Sequence, residues 1–199
     1  FVTGYSLVKY EQAIDNELAQ RLRANAREFL STMSEFENFL VSRRNQFKSD
    51  PVLFSYLLTG SVGLTRDHVR SLTRGGLPLE TLNVFNASGE MIASFSKDES
   101  GSALPNSAVE QAEITLSAST RESLEGSGQK IYVDPARGNG VDLISITRLE
   151  GKGPRTAGYI EEVIRLSSSF FEKFKLRLDL ELMIFSESGI MVASSQPDF

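Results

Sequence analysis

The chain has 199 residues, of which 40% are hydrophobic and 24% charged, and its formal net charge is −5. This composition is typical of an ordinary globular protein with room for one large domain, or for one complete domain and part of another. The negative charge disfavours a nucleic-acid surface, and the lack of cysteine excludes disulfides, thiolate catalysis and zinc–thiolate sites. No apolar run approaches the roughly 20 residues that span a bilayer. Because the chain begins at Phe1 rather than Met, we expect it to be a processed or excised piece.

The longest helical pattern covers residues 5–48. Its apolar side chains recur at spacings of three, four or seven and form a single stripe: Leu7, Ile14, Leu18, Leu22, Ala26, Phe29, Met33, Phe36, Leu40 and Phe47. Such a helix would be roughly 60 Å long, which is more than one small domain needs. It either spans two stacked modules or packs against a partner copy, since near-heptad spacing also suits a homodimer. We assign residues 1–50 to a dimerisation and signalling helix.

Two short helices are expected next. Asp50 is a good N-cap and Pro51 fits the first helical position of a helix that ends near Gly60. A further helix is predicted over residues 64–74, closed by a glycine pair at 75–76. His68 lies in this helix without a nearby cysteine or acidic ligand pair, so we interpret it as a surface or capping residue and predict no metal site.

A β-hairpin is predicted at Leu82 to Ser94, where the sequence reads LNVFNASGEMIAS. Apolar and β-branched residues form each strand, and Gly89 can adopt the positive φ that closes the turn. The stretch has an echo 100 residues later, LMIFSESGIMVAS, with seven identities: Leu182, Phe185, Ser188, Gly189, Met191, Ala193 and Ser194. We interpret the two stretches as copies of one sheet-bearing module.

The segment between the hairpins completes the first module. A polar loop through 98–105, a helical patch at 106–112, an ambiguous stretch at 114–120 and a helical turn at 121–124, ending at Gly126, follow the first hairpin. Strands at 130–133, 141–149 and 157–166 then complete an antiparallel sheet of five strands, with a Gly- and Asn-rich turn at 134–140. A helix at about 169–177 precedes the second hairpin. Because a two-stranded hairpin is marginal alone, we expect the second module to be incomplete in this chain or to be completed by residues beyond it.

The predicted fold class is therefore α+β, with a long N-terminal helix packed on a PAS-like antiparallel sheet and followed by the start of a second similar module. The domain boundaries are 51–166 for the first module and 167–199 for the second.

The order of elements resembles a Cache-type sensor domain of the double-Cache type. Four phrases carry the resemblance: LNVFNASGEMIAS, DLISITRL, TAGYIEEVIRLSSSFFEKF and LELMIFSESGIMVASS. These PAS-like domains form the extracytoplasmic parts of bacterial histidine kinases, chemoreceptors and diguanylate cyclases. The resemblance implies a periplasmic or extracellular portion of an inner-membrane receptor, flanked by transmembrane helices. It would bind a small molecule above the sheet and pass a signal through the long helix. The amino-acid-binding subset has a Tyr…Arg-x-Trp-Tyr pattern, and this sequence contains no Trp.

In this architecture the ligand pocket is expected to involve the insert after the hairpin and the last three strands. The candidate polar residues there are Arg121, Tyr132, Asp134, Arg137, Asp142 and Tyr159. An Arg could hold a ligand carboxylate bidentately, and a Tyr could stack or donate a hydrogen bond. Asp134 and Arg137 could equally be turn residues, and Arg121 could face solvent.

An enzymatic function is not predicted, because no catalytic motif, metal-spaced cluster or phosphate-binding loop is present. The adjacent Glu161 and Glu162 lie in a strand, so their side chains point to opposite faces and cannot act together. No cofactor is expected. The full-length protein could carry a kinase or cyclase output domain. The main rival to a sensor is a protein-interaction or dimerisation module without a small-molecule ligand.

Overall fold

A computed structural model describes residues 2–73, 80–97, 103–105, 114–135, 140–151, 155–167, 170–172, 175, 181, 183–185 and 191–194. The predicted helical patch at 106–112, the glycine pair at 75–76 and the candidate Arg137 lie outside these residues.

Three helices open the chain: α1 is Val2–Ser49, α2 is Pro51–Leu58 and α3 is Val62–Leu72. The predicted cap of α2 is confirmed, because Asp50 Oδ1 accepts hydrogen bonds from the backbone N–H groups of Val52 and Leu53, both at 2.9 Å. His68 on α3 contacts the other carboxylate oxygen of Asp50 at 2.9 Å through Nε2. His68 does not cap a helix itself; its contact with Asp50, the N-cap residue of α2, ties α3 to the start of α2.

A single antiparallel sheet follows, made of β1 (Thr81–Asn86), β2 (Met91–Lys97), β3 (Ala103–Pro105), β4 (Gln129–Pro135), β5 (Gly140–Glu150) and β6 (Thr156–Ser167). The strand order is β3-β2-β1-β6-β5-β4, so β1 and β6 are central. The five predicted strands are confirmed. The sixth, β3, pairs with β2 where the sequence predicted only a polar loop.

Two boundaries differ from the sequence-based prediction. The predicted turn begins too early, because Asp134 and Pro135 continue β4 and pair with Asp142 and Val141 of β5. The predicted single helical turn is a ten-residue helix, α4 (Ala118–Ser127). Ser117 Oγ caps it by accepting from the Thr120 N–H at 3.1 Å, and the chain leaves the helix at Gly128 with φ +68° rather than at Gly126.

The repeated hairpin forms β7 (Met183–Phe185) and β8 (Met191–Ser194), preceded by helical residues 170–172. Its pairing reproduces that of the first hairpin with every number raised by 100. Phe85 pairs with Met91 and Phe185 with Met191, and both ladders shift register one residue before the phenylalanine. The repeated sequence therefore forms two hairpins with the same register and the same irregularity.

The sheet has two different faces. We call the face that α1, α2 and α3 cover the helix face, and the opposite face, which carries α4, the distal face. The core on the helix face joins residues of all three helices to the central strands, and its members are Leu40, Phe47, Leu53, Leu57, Val69, Leu82, Val84, Ala93, Phe95, Leu149, Ala157, Ile160 and Ile164. Only the C-terminal part of α1 contributes to it, because Leu40 is the first buried side chain among those described along that helix.

Candidate functional site

The distal face is apolar at the end near the β1–β2 turn, where α4 covers it. Phe85, Leu116, Leu124, Ile146 and Tyr159 form a second core cluster there. Tyr159, a predicted ligand-binding residue, is only 3% exposed and packs within this cluster. Its side chain therefore contributes to the attachment of α4 and does not line an open surface.

Arg121, another predicted binding residue, lies on α4 above the β1–β2 turn. Gly89 in that turn has φ +86°, and a Cβ built on it would lie 2.9 Å from Arg121 Cδ. The turn therefore needs glycine for its backbone and offers the arginine stem a flat surface. Arg121 Nε is buried without a hydrogen-bond partner among the described residues. The guanidinium is thus placed at the covered end of the distal face.

A polar row crosses the distal face next to this apolar cluster. It consists of Ser94 on β2, Asn83 on β1 and Glu161 on β6, which are direct cross-strand neighbours. Ser94 Oγ donates to Asn83 Oδ1 at 2.7 Å, and Asn83 Nδ2 donates to Glu161 Oε1 at 2.8 Å. Ser94 is fully buried and Asn83 is 7% exposed. Burial raises the pKa of Glu161, and the hydrogen bond from Asn83 only partly opposes that rise.

The other predicted residues lie on the strands beyond this row. Tyr132 and Asp134 are exposed side chains of β4 on the distal face, and the Lys130 ammonium lies 5.5 Å from the centre of the Tyr132 ring. Burial, followed by the charges of Glu161 and Asp134, raises the pKa of Tyr132. The hydroxyl of Tyr132 and the Glu161 carboxylate are therefore close enough to interact electrostatically.

Asp142 is engaged by the protein itself. Its two carboxylate oxygens accept a bidentate pair of hydrogen bonds from Arg165 Nε and Nη2, both at 2.9 Å. This paired arrangement raises the pKa of Arg165, mainly through the Asp142 hydrogen bond. The pair joins β5 to β6 across the distal face, so Asp142 holds the sheet surface in place.

Sequence reasoning did not select the polar row as a site. From the sequence alone, Asn83 and Ser94 are only hairpin residues, and Glu161 is only a carboxylate that cannot act together with Glu162. For Asn83 the missing signal is local, because its neighbours Leu82 and Val84 are apolar and point to the opposite face of the sheet. Finding the row also requires the pairing of β1 with β6, which no local pattern shows.

On the helix face, Glu162 is held by α1. Arg43 donates to Glu162 Oε1 from Nε at 2.9 Å and from Nη2 at 2.5 Å, and Arg44 Nε lies 3.5 Å from Oε2. The exposed fractions are 7% for Arg43 and 1% for Glu162. The prediction that Glu161 and Glu162 point to opposite faces is therefore confirmed, and the second carboxylate fixes the long helix to the central strand.

Two open clefts lie at the end of the sheet where α1 and α2 meet, away from the polar row. One, of about 490 Å³, has a mixed-charge wall that includes Lys48, Glu125 and Arg148. Arg148 already donates to the carbonyl oxygen of Glu125 at 3.0 Å, where it caps the C-terminal turn of α4. The other cleft, of about 790 Å³, lies between α2 and the β5–β6 turn. Arg148 Nε is buried there without a hydrogen-bond partner among the described residues, and Lys48 and Arg155 are exposed. These clefts therefore present cationic side chains, and their described glutamates are exposed, unlike Glu161.

Within the described part of the chain, no three His, Asp or Glu side chains converge as metal ligands would. None of the described helices is both long and apolar enough to cross a bilayer.

Comparison with known proteins shows the fold. No protein-family model matches the sequence, and no curated protein matches it significantly. Solved structures do match. The extracellular domain of a protein assigned as histidine kinase vpHK1S-Z8 is similar with a TM-score of 0.64 and 13% identity, over 92% of this chain and 69% of that one. The sensor domain of the histidine kinase DctB from Vibrio cholerae is similar with a TM-score of 0.60 and 16% identity, over 94% and 69%.

A domain of a sensory box/GGDEF family protein from Vibrio parahaemolyticus is also similar, with a TM-score of 0.59 and 14% identity, over 92% of this chain and 72% of that one. Two of these three neighbours are described as extracellular or sensor domains of histidine kinases, and none is described as a catalytic domain. The α+β, PAS-like fold implied by the Cache resemblance is therefore confirmed: this chain has the fold of bacterial receptor sensor domains.

Proposed function

We propose that this chain is the extracytoplasmic input domain of a bacterial transmembrane receptor. It binds a small molecule on the distal face and passes the signal through α1. Its fold is that of sensor domains, and the polar row supplies a half-buried carboxylate on the face opposite the helix. The same reasoning favours a periplasmic location and flanking transmembrane helices in the full-length protein.

One observation carries the proposal: Glu161 and Glu162 are adjacent on β6 but contact different parts of the molecule. Glu161 belongs to the polar row, and Glu162 is bound by Arg43 of α1. Because β6 is hydrogen-bonded to both β1 and β5, a displacement of its backbone at Glu161 also displaces Glu162. A ligand that binds one arrangement of β6 more tightly than the other would shift the position of α1.

We further propose that the second module covers the N-terminal half of the α1 stripe. Phe36, Leu40 and Phe47 of that stripe face the first module, while Ile14 and Leu18, on the same side of the helix, are about half exposed. The chain that follows β6 returns to α1, because the Phe170 and Phe36 rings lie 6.1 Å apart. From there, a second module built on the repeated hairpin would lie beside the exposed part of the stripe.

Ligand-induced melting shifts combined with hydrogen–deuterium exchange test the sensing function. The purified chain is screened against small acids, amino acids and amines. A ligand is expected to raise the melting temperature by selective binding to the folded state. Bound ligand should change exchange both in β6 and in α1 between residues 36 and 49. Protection confined to the distal face would contradict the proposed transmission through Glu162.

A second candidate function, protein interaction without a small-molecule ligand, is favoured by the exposed apolar side chains of α1: Ile14, Leu18, Leu22 and Leu30. This function predicts that no compound changes the melting temperature. It also predicts a dimer in light scattering that dissociates on Leu18→Glu. A homodimer through α1 stays a prediction of the sequence, and the same measurement decides it.

A further inference from the structure

The polar row has a fixed hydrogen-bond polarity. Ser94 Oγ donates to Asn83 Oδ1, so the amide nitrogen of Asn83 points to Glu161 Oε1. The row therefore ends in an acceptor. No second hydrogen bond or ion pair joins Glu161 to any residue that the structure describes. Among the described residues, no donor contacts its other carboxylate oxygen.

The described basic groups of the distal face already have partners or lie elsewhere. Arg165 is bound bidentately by Asp142, and Arg148 caps α4 at the Glu125 carbonyl. The Lys130 ammonium lies over the Tyr132 ring, and Arg121 lies over the turn at Gly89. None of these groups neutralises Glu161. A half-buried carboxylate without a cation is costly, because burial opposes the charged form.

We propose that Glu161 is the counterion for a ligand that carries an ammonium group, so that the sensed molecule is an organic amine. This inference rests on the proposed sensing function and specifies its ligand class. An ammonium donates hydrogen bonds and brings the missing positive charge, and both complement the free carboxylate oxygen. The ring of Tyr132 lies on the same face, where it already contacts the Lys130 ammonium.

The same geometry discriminates against simple acids. A carboxylate ligand next to Glu161 would bring like charges together in a partly desolvated place, at a cost that grows as water is excluded. Asp134 is exposed on β4, and its charge, like that of Glu161, raises the pKa of Tyr132. It therefore adds a second negative charge to the distal face.

The test uses three four-carbon probes that differ only in their end groups: 1,4-diaminobutane, 4-aminobutanoate and succinate. Melting shifts and calorimetric titration are measured on the 199-residue chain at pH 7.5. We expect the diamine to bind with one-to-one stoichiometry and to raise the melting temperature, and succinate to do neither. The Glu161→Gln variant keeps the acceptor for Asn83 and removes the charge, so it should lower diamine affinity at least tenfold.

The matched control is Glu37→Gln, an exposed glutamate on α1 with no role in the row. It should bind the diamine as the wild-type chain does. An equal loss of affinity in both variants would mean non-specific attraction to an acidic protein and would overturn the proposal.

The remaining outcomes separate the ligand class from the function. Binding of succinate without binding of the diamine would overturn the amine assignment and leave the sensing function intact. Indifference to all three probes would overturn the amine assignment. Indifference to the wider panel as well would overturn the sensing function.

Discussion

Glu161 and Glu162 are adjacent on β6 but point to opposite faces of the sheet, where they have different partners. Glu162 on the helix face is 1% exposed and contacts two arginines of α1. Glu161 on the distal face has one neutral partner, Asn83, and no described cation. Strand alternation alone separates two identical side chains into these environments. One carboxylate therefore attaches the long helix to the sheet, whereas the other has no cationic partner among the described residues.

Burial has opposite consequences in the two cases. A buried carboxylate with an arginine partner is compensated, so removing that arginine should be expensive. A half-buried carboxylate without a cation is already in an unfavourable state, so neutralising it should cost little.

The largest effect is expected for Arg43→Ala. The substitution leaves Glu162 with only the longer Arg44 contact at 3.5 Å, in a place with almost no solvent access. We expect a loss of about 3 kcal/mol in the free energy of unfolding, near the low end for a buried pair that loses one partner. Urea denaturation with a two-state fit measures it.

The control is Arg21→Ala on the same helix, which removes an exposed pair with Glu17. Because exposed i,i+4 pairs contribute only about 0.3–0.5 kcal/mol, its midpoint should barely change. Equal losses for both variants would mean that the Glu162 pair does not hold α1 on the sheet. Replacement of Arg43, Arg44 and Glu162 together by methionine should recover part of the stability, because none of the three charges is then left without its partner.

An intermediate effect is expected for Gly158→Ala on β6. An added Cβ would lie 2.3 Å from the carbonyl oxygen of Phe85 and 3.4 Å from two methyl carbons of Leu57. The carbonyl belongs to the neighbouring strand and cannot move without separating β1 from β6. We expect a loss of roughly 1–3 kcal/mol, as for other overpacked sites.

Gly126→Ala is the matched control for that substitution. Gly126 lies inside α4, has no atom within 4 Å of an added Cβ and does not have a positive φ. Alanine there should leave stability unchanged or raise it by about 0.5–1 kcal/mol, because alanine favours a helix more than glycine does. If Gly126→Ala lost as much stability as Gly158→Ala, the close contacts of Gly158 with Phe85 and Leu57 would not explain the loss.

Local sequence patterns are sufficient to predict the long helix, the capped start of α2 and the first hairpin turn. The stripe from Ile14 to Phe47 predicts α1, and Asp50-Pro51 predicts the start of α2. Gly89 predicts the turn that adopts φ +86°. These features depend on residues within a few positions of one another, so the sequence contains them directly.

Features that depend on distant residues could not be predicted in the same way. Arg43 and Glu162 are 119 residues apart, and their contact exists only because α1 crosses the centre of the sheet. Tyr159 resembles a binding residue in the sequence, but α4 covers it with Leu124. Glu161 becomes a candidate only when its pairing with Asn83 is known, because the register between β1 and β6 brings the two together.

The smallest effect, and the one that distinguishes the two glutamates chemically, is the pH dependence of stability. Burial raises the pKa of Glu161 above its ordinary value of 4.5. At a pH between the unfolded-state and the folded-state pKa of Glu161, the folded chain binds more protons than the unfolded chain. Stability should therefore fall as pH rises from 4.5 through the folded-state pKa, and level off above it. The Glu161→Gln variant lacks this fall and should be more stable than the wild-type chain at neutral pH without ligand.

Glu90 provides the opposite sign within the same sheet. Hydrogen bonds from Asn86, at 2.7 Å, and then from Ser88 lower the pKa of Glu90. Its contribution is present above pH 4.5 and is lost as pH falls through the folded-state pKa. Urea titrations from pH 3.5 to 8 give the free energy of unfolding of the wild type minus that of each variant. With rising pH this difference should fall for Glu161→Gln and rise for Glu90→Gln.

The described charged and titratable groups on the distal face are Lys130, Tyr132 and Asp134 on β4, Asp142 and Arg148 on β5, Tyr159 and Arg165 on β6, Glu80 beside β1 and Arg121 on α4. Each is present in both variants, so their titration cancels in the comparison. If the stability difference between wild type and Glu161→Gln did not change with pH, the Glu161 carboxylate would be as well stabilised by its surroundings as Glu162. If this stability difference fell with rising pH, and if the diamine bound more weakly when Glu161 is protonated, the charged Glu161 would destabilise the free protein. Binding of the diamine would then restore that stability.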